Sequence, residues 1–258
     1  MSQMKKIVFL GSKSDSTKFV FNGLKKHVDF SAVIIEDPPN KIDLFQRRLK
    51  KLGWLETLGQ ILFIVFASKI IHVLSKRKRR RLLHELNLNS SQIDPEITCF
   101  VQSVNSTRTI KILKEINPDL VIVNGTRIIA KKVLNAISSV FINTHVGITP
   151  KYRGVHGGYW ALANNDMQHF GVTVHKIDAG IDTGEVLYQK VILPTSSDNF
   201  STYPLLQTAE GINLILNVIE DFNFEGLRST QSLVKESKLW YHPTLWGYLY
   251  LRIKKGIK

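Results

Sequence analysis

Short apolar runs rich in β-branched residues alternate along this chain with segments of helical periodicity, and this alternation constrains the fold more than any other feature. The runs at 7–10, 32–35, 97–101, 120–123 and 140–142 read as buried strands. Because helical segments separate these strands, we expect the strands to be parallel and joined by right-handed crossovers. The alternation therefore predicts an α/β fold with a mostly parallel, twisted sheet and helices on both faces.

The alternation stops over residues 40–92, which read as helical with no strand. It resumes afterwards and ends in two neighbouring predicted strands at 171–177 and 185–192. We therefore expect one domain over 1–225 that carries 40–92 as a basic, apolar helical insert after the second strand. A C-terminal tail over 226–258, rich in aromatic and basic residues, follows this domain.

The positive charge of the chain is confined to two places. The net charge is +14, and residues 41–84 hold twelve Lys and Arg side chains against two acidic ones. Residues 250–258 hold four more Lys and Arg, so the rest of the chain is neutral. Both segments are expected to face an anionic partner. A hydrophobic content of 43% excludes global disorder, and the single Cys99 permits no intramolecular disulfide, which fits a reducing compartment.

Polar side chains follow the fifth predicted strand, at the sheet edge where doubly wound folds bind ligands. Asn143 and His145 lie two residues apart there, so in extended geometry an amide and an imidazole face the same side. Farther along the chain, the glycine-rich turn 178–184 holds the carboxyl groups of Asp178 and Asp182. These groups together predict a site for proton transfer and charge stabilisation.

Four motifs in this order resemble a known family. They are N-x-H at 143–145, P-K-Y-R-G at 150–154, H-G at 156–157 and V-H-x-x-D-x-G-x-D-T-G at 174–184. The combination is similar to the folate-dependent formyltransferases, a family that includes glycinamide ribonucleotide transformylase, methionyl-tRNA formyltransferase and the sugar N-formyltransferases. The resemblance covers roughly 1–36 and 95–225. It departs from the family at 146–149, where V-G-I-T replaces the usual P-S-L-L.

The resemblance implies a Rossmann-like formyltransferase fold and N10-formyltetrahydrofolate as the formyl donor. It implies that Asn143, His145 and Asp182 are the catalytic residues. Folate contacts are expected from the strand-end segment after 120–123 and from the glycine-rich turn: Gly125, Thr126, Arg127, Ile128, Asp178, Ala179, Gly180 and Ile181.

The chemistry of formyl transfer requires these residue types. An amine attacks the formyl carbon and a tetrahedral oxyanion forms. An amide donor such as Asn143 stabilises that oxyanion, and loss of one such donor typically costs ~10²–10³ in rate. His145 can carry the proton from the amine towards the folate nitrogen, with Asp182 orienting the imidazole.

Other positions are expected to contact the acceptor. Acceptor contacts are predicted around the family motifs and after the first strand, at Gly11, Ser12, Tyr152, Arg153, Gly154 and His156. The segment containing Gly11 and Ser12 is equally compatible with a phosphate site at a helix N-terminus and with a plain turn. No His, Cys and carboxylate spacing suits a metal, so no metal is expected.

The insert and the tail predict contact with a membrane surface. Residues 61–66 are apolar on all sides, basic runs lie on either side of them, and the tail combines aromatic rings with lysines. We therefore expect 47–81 and 240–258 to bind an anionic membrane surface, and we expect the protein to be cytoplasmic and peripheral to the membrane. A homodimer contact through the insert is an alternative that can coexist with membrane binding, and nucleic acid is a weaker alternative.

The leading hypothesis is an N-formyltransferase that acts on a primary amine, on an amino sugar of envelope glycan synthesis that is nucleotide- or lipid-linked. A methionyl-tRNA formyltransferase-like enzyme is the first alternative, because those enzymes carry a basic insertion at the same place. A formyltetrahydrofolate hydrolase and a non-catalytic protein with the same fold are the others.

Overall fold

A seven-stranded sheet forms the centre of the protein in a computed structural model, which describes residues 5–224 and 226–258. The strand order is β3-β2-β1-β4-β5-β7-β8, in which the first five strands are parallel and β7 and β8 are antiparallel to their neighbours. A short second sheet pairs β6 with β9. The strands are β1 Ile7–Ser12, β2 Phe30–Glu36, β3 Thr98–Val101, β4 Leu120–Asn124, β5 Val140–His145, β6 Arg153–Gly154, β7 Gly171–Lys176, β8 Val186–Val191 and β9 Leu239–Trp240.

Helices cover both faces of the sheet, so the predicted Rossmann-like α/β fold with its mostly parallel sheet is confirmed. The π-helical segment Phe63–Ala67 continues α2 into α3. The helices are α1 Asp15–Leu24, α2 Lys41–Leu62, α3 Ser68–Leu74, α4 Lys76–Glu85, α5 Thr107–Ile116, α6 Lys131–Leu134, α7 Gly157–Ala163, α8 Tyr203–Phe224 and α9 Leu245–Lys255.

The alternation of side chains along β1 divides the core into two layers. Ile7 and Phe9 pack into a cluster with α1 and α8, whereas Val8 and Leu10 point to the opposite face, towards α5 and α6. All four side chains are buried. Because both faces of the central strands are covered, the polar side chains at the strand ends are held on a rigid base.

The insert is helical over 41–85, as expected, and it is bent at Gly53. Gly53 has φ 80°, a conformation that side chains with a Cβ rarely adopt, and the Thr57 hydroxyl donates to the Gly53 carbonyl at 2.7 Å. Beyond the bend, the Phe63 ring is fully buried, with its centroid 4.8 Å from that of Phe200 and 5.1 Å from that of Tyr248. The insert is therefore attached to the body by an aromatic cluster.

The tail returns to the body and ends in a helix. Trp240 pairs with Gly154 in the small sheet, and α9 packs against α2 and the π-helical segment. The Trp246 ring lies directly over Gly59, where a Cβ would come within 2.4 Å of the ring. The division into 1–225 and 226–258 remains a proposal, and residues 1–4 and 225 lie outside the described residues.

Candidate active site

A cavity of about 640 Å³ opens at the carboxyl ends of β4 and β5. Three parts of the chain build its walls: the sheet edge, the insert and the tail. The polar and charged lining includes Asn143, His145 and Asp182 from the sheet, Arg47, Arg48, Lys51 and Gln60 from the insert, and Tyr241 and His242 from the tail. The three predicted catalytic residues therefore share one cavity.

His145 is the last residue of β5, and its imidazole is buried between two acceptors. Its Nε2 lies 2.6 Å from the backbone carbonyl of Tyr152, to which it donates a hydrogen bond. Its Nδ1 lies 3.3 Å from Oδ2 of Asp182. An imidazolium supplies a proton to each acceptor, whereas a neutral ring supplies only one. The geometry thus commits Nε2 to the Tyr152 carbonyl and leaves Nδ1, beside Asp182, as the ring nitrogen for proton exchange.

Asp182 has left-handed backbone geometry, with φ 51°, in the turn between β7 and β8. Its Oδ2 accepts a hydrogen bond from the Gly154 amide at 2.8 Å. Burial alone would raise the pKa of this carboxyl group. The electrostatic effect of the neighbouring His145 and the hydrogen bond from the Gly154 amide outweigh burial and hold its pKa well below the usual range. Asp182 is therefore a permanent negative charge beside His145.

His175 determines the orientation of the Asn143 amide. Nδ1 of His175 donates to the carbonyl of Lys176 at 2.7 Å, so in the neutral ring Nε2 is an acceptor. Nδ2 of Asn143 lies 3.4 Å from this Nε2. One amide hydrogen then points to His175, and the other is free to donate into the cavity. The sequence analysis did not assign His175 to the site, although it lies inside the fourth motif.

A smaller cavity of about 100 Å³ adjoins the first one, and Asn143 and Asp182 line both. Six of the eight positions predicted to contact folate line this smaller cavity: Thr126, Arg127, Ile128, Asp178, Gly180 and Ile181. Of the other two, Gly125 lines the larger cavity and Ala179 lines neither.

Two of the predicted folate contacts also have internal partners. The Arg127 guanidinium forms an ion pair of 2.7 Å with the buried Glu36. Oδ1 of Asp178 accepts from the Gly180 amide at 2.9 Å and from the Thr183 hydroxyl at 2.7 Å. These side chains therefore shape the turn and the strand end.

Most of the predicted acceptor contacts lie elsewhere. Gly154 does line the larger cavity. Gly11 is buried, and the Ser12 hydroxyl donates a hydrogen bond to the Ser14 hydroxyl. The Tyr152 hydroxyl donates to Asp166 at 2.7 Å, on the side of the chain away from the site.

The side chains of Arg153 and His156 are also engaged outside the cavity. Arg153 donates to the Ile181 carbonyl at 3.0 Å, and Nε2 of His156 lies 3.0 Å from Nδ1 of His242. The structure therefore does not bring the side chains of Tyr152, Arg153 and His156 to the cavity, because internal hydrogen bonds direct each of them into the body.

Three cations of the insert line the cavity instead. Arg47 and Arg48 are adjacent on α2, Lys51 follows about one helical turn later, and all three line the cavity. Within 5–224 and 226–258, none of the three forms an ion pair with a carboxylate. The sequence analysis identified these cations but predicted that they contact a membrane surface.

Aromatic residues of the tail complete the wall. Trp240 and Tyr241 line the cavity, and Nζ of Lys51 lies 5.1 Å above the Tyr241 ring. In the sequence, only the aromatic composition of the tail pointed to a binding role for these residues. Among the described residues, no group of three or more His, Cys, Asp or Glu is arranged to hold a metal ion.

Comparison with known proteins gives one family. The sequence profile described as formyl transferase matches residues 45–216. A methionyl-tRNA formyltransferase from Thermodesulfovibrio yellowstonii is 36% identical over 123 residues, which are 47% of this chain and 40% of that protein. The alignment thus spans less than half the length of this curated relative.

Solved structures share the fold at low sequence identity. A sugar N-formyltransferase from Shewanella sp. FDAARGOS_354 superposes with a TM-score of 0.54 at 17% identity, covering 95% of this chain and 86% of that one. HypX from Aquifex aeolicus, in complex with tetrahydrofolic acid, gives a TM-score of 0.54 at 15% identity over 92% of this chain and 30% of that one.

Proposed function

This chain belongs to the formyl transferase family, whose members are folate-dependent formyl transferases, and from that premise we propose that it moves a formyl group from N10-formyltetrahydrofolate to a primary amine. The observation that carries the proposal is the meeting of Asn143, His145 and Asp182 around one cavity. These residues come from separate segments and supply a hydrogen-bond donor, a proton carrier and a fixed negative charge.

In the proposed reaction, Asn143 stabilises the oxygen of the group being transferred. As the amine attacks the formyl carbon, negative charge develops on the formyl oxygen. The free hydrogen of the Asn143 amide donates to that oxygen, and His175 keeps the amide in place from behind. A donor held in advance contributes more to rate than one that must reorganise.

His145 and Asp182 carry out the proton transfer from the amine to the leaving nitrogen. The attacking amine loses one proton and the leaving nitrogen gains one. Nδ1 of His145 is the proton-transfer atom, since Nε2 is occupied by the Tyr152 carbonyl. The permanent charge of Asp182 stabilises the imidazolium while it holds the proton.

The smaller cavity suits the donor. Its walls combine apolar side chains such as Ile128 and Ile177 with the polar backbone of 126–128 and 178–182. That combination fits a flat ring with a hydrogen-bonding edge, which is the chemistry of the pterin group. The segments around Thr126 and Ile181 would therefore hold the donor, with its formyl group towards Asn143.

The larger cavity supports an acceptor that carries negative charge. Arg47, Arg48 and Lys51 have no carboxylate partner in the described part of the chain, and a phosphate would satisfy them. Trp240 and Tyr241 offer flat apolar faces on which a sugar ring can pack. We therefore propose an amino sugar joined to a phosphate, either nucleotide- or lipid-linked, from envelope glycan synthesis.

The direct test is formyl transfer to amino sugar nucleotides, followed as tetrahydrofolate release and as mass gain of the acceptor. The proposal expects release that depends on the amine. Formate appearing at the same rate without an amine would instead identify a formyltetrahydrofolate hydrolase. Absence of donor binding would leave a non-catalytic protein with this fold.

A second candidate is formylation of methionyl-tRNA. Sequence identity to the Thermodesulfovibrio relative and the row of insert cations at the cavity favour it. In a gel-shift titration with initiator tRNA, this candidate expects binding that weakens steeply with salt, because each phosphate contact releases counterions. Formylation of the charged tRNA at a rate above that of any amino sugar would select it.

The proposed location is the cytoplasm, with the protein peripheral to the membrane. A homodimer through the insert is the competing use of the same surface. The stretch Lys41–Leu74 is long and apolar enough, by length and composition only, to cross a membrane.

A further inference from the structure

The outer side of the insert exposes far more apolar surface than the rest of the molecule. Of the 22 large hydrophobic side chains that are exposed among the described residues, 11 lie between residues 42 and 74. Trp54 is 69% exposed, Ile70 57% and Val73 68%. Clusters of this kind mark interaction sites, since single exposed apolar residues are ordinary but grouped ones are not.

Helix α9 extends this surface. Trp246, Leu249, Tyr250 and Ile253 are spaced three and four residues apart, so they share one side of the helix, and all four are exposed. The contact of Trp246 with Gly59 packs this helix against the insert. We name the exposed apolar side chains of 42–74 and 246–253 together the apolar face.

Cations surround the apolar face and acids are almost absent from it. Lys50, Lys69, Lys76, Arg77 and Lys254 are exposed, and none of them forms an ion pair among the described residues. Within 41–84 the acids are Asp43 and Glu56, and 245–258 holds no acid.

Other cations of the insert attach it to the body instead. Nζ of Lys78 lies 2.6 Å from Oδ1 of Asp198, and Arg79 donates to the Ser201 carbonyl. Leu82 packs into the core cluster beneath α8. The insert therefore lies along the body on one side, and its other side, with the unpaired cations, is left for a partner.

The attachment excludes a spanning orientation for this stretch. Phe63 is fully buried among Phe200 and Tyr248, and Ile71 packs against the same cluster. A helix that crossed the bilayer would lose these contacts and would place the kink at Gly53 in lipid. The charge and apolarity of the outer side suit a helix lying in the interface plane, with apolar side chains in the acyl boundary and cations at the headgroups.

We infer that the apolar face docks on an anionic phospholipid bilayer, and that the amine acceptor is lipid-linked and enters the cavity from that surface. Segment 41–52 connects the two: Arg48 and Lys51 line the cavity, whereas Ile42, Phe45 and Leu49 lie on the opposite side of the same helix and are exposed. The wall of the cavity is thus also part of the docking surface. The acceptor part of this inference rests on the proposed function.

A bilayer fits the charge and exposure of this face better than a second copy of the chain or an RNA does. Two copies packed through this face would bring two sets of unpaired cations together, which is unfavourable. An RNA would neutralise the cations but would leave Trp54, Ile70 and Ile253 in water.

Vesicle flotation with the full chain tests the docking. With phosphatidylcholine vesicles containing phosphatidylglycerol, we expect at least about tenfold more bound protein than with phosphatidylcholine alone, and less binding as salt rises. The triple variant Trp54→Gln, Ile70→Gln, Ile253→Gln should bind at least about tenfold more weakly. The matched control, Ile97→Gln, Leu193→Gln, Leu233→Gln, changes side chains that are equally exposed away from the face and should bind like wild type.

The docking would be overturned if the wild type does not bind anionic vesicles, or if the triple variant binds them as well as the wild type does. It would also be overturned if light scattering shows that the wild type is a dimer and the triple variant a monomer. The acceptor part is tested separately. The triple variant should lose formylation of a lipid-linked amino sugar in vesicles while it keeps formylation of a soluble amine. If wild type formylates no amine yet binds vesicles, the proposed function fails and the docking stands.

Discussion

Oδ2 of Asp182 lies 3.3 Å from Nδ1 of His145, across the gap between the β7–β8 turn and the end of β5. The two residues are distant in sequence, and each has a second anchor: the Gly154 amide for Asp182 and the Tyr152 carbonyl for His145. These contacts hold the Asp182 carboxylate and the His145 imidazole in place before any substrate binds, so the site is organised in advance.

Replacing Asp182 by Asn should lower kcat by about 10²–10⁴ without unfolding the protein. Asn keeps the size of the side chain and tolerates φ 51°, but it removes the charge that stabilises the imidazolium. Steady-state kinetics and a thermal melt measure the two effects. Glu210→Gln, which breaks an exposed ion pair with Lys190, is the matched control and should leave kcat unchanged. A variant with wild-type kcat would remove Asp182 from the mechanism.

Replacing Asn143 by Asp should lower kcat/KM by about 10²–10³, because the amide donor at the developing oxyanion is replaced by an acceptor. Binding of the donor, followed by fluorescence quenching, should change less than kcat. Asn213→Asp makes the same chemical change on the exposed side of α8 and serves as the control. If both variants turn over equally well, the assignment of Asn143 as an oxyanion donor is incorrect.

The half-buried pair His156–His242 should make the protein less stable as pH falls from 6.5 towards 4. Burial and the neighbouring His242 lower the pKa of His156 to about 3, and burial and Arg48 lower that of His242 to about 4. The unfolded chain therefore takes up protons below pH 6.5 while the folded chain does not, so stability decreases across this window.

Urea unfolding at several pH values measures this effect. Between pH 7 and pH 5, the free energy of unfolding of wild type should fall by about 2 kcal/mol more than that of His156→Asn, since one pKa unit corresponds to about 1.4 kcal/mol. Asn tolerates the positive φ of 58° at this position. Parallel pH curves for the two proteins would show that His156 does not titrate as the structure indicates.

Local patterns were sufficient for the strands, whereas the grouping of Asn143, His145 and Asp182 as catalytic residues came from the resemblance to the formyltransferases. The strand-end position of Asn143 and His145 determines which way they point, because residues two apart in a strand share a side. The bounds of α5 have an equally local cause, since Ser106 caps its start and Asn117 ends it in left-handed geometry. These features depend on neighbours in sequence.

Contacts between segments that are distant in sequence could not be predicted from local patterns. Arg48 and Lys51 carried a charge signal, but their direction towards the cavity depends on how the insert folds back. Trp240 reaches the site because its strand pairs with Gly154, a partner far away in sequence that no periodicity indicates. Tyr152 belongs to a motif that suggested the acceptor, yet its hydroxyl is used by Asp166 in the interior.

The packing of Trp246 on Gly59 gives a stability prediction for the junction between the tail and the insert. Gly59→Ala in a helix would ordinarily stabilise by roughly 0.5–1 kcal/mol. Here the new Cβ would lie 2.4 Å from the Trp246 ring, so the ring must move and we expect a loss of about 1–3 kcal/mol. In a Trp246→Ala background the ring is gone and only Thr244 Cβ, 2.7 Å from the new Cβ, remains in the way, so the same substitution should cost less. A double-mutant cycle by urea unfolding measures the difference. If Gly59→Ala has the same effect in both backgrounds, α9 does not pack on the insert at this point, and the apolar face would not be continuous.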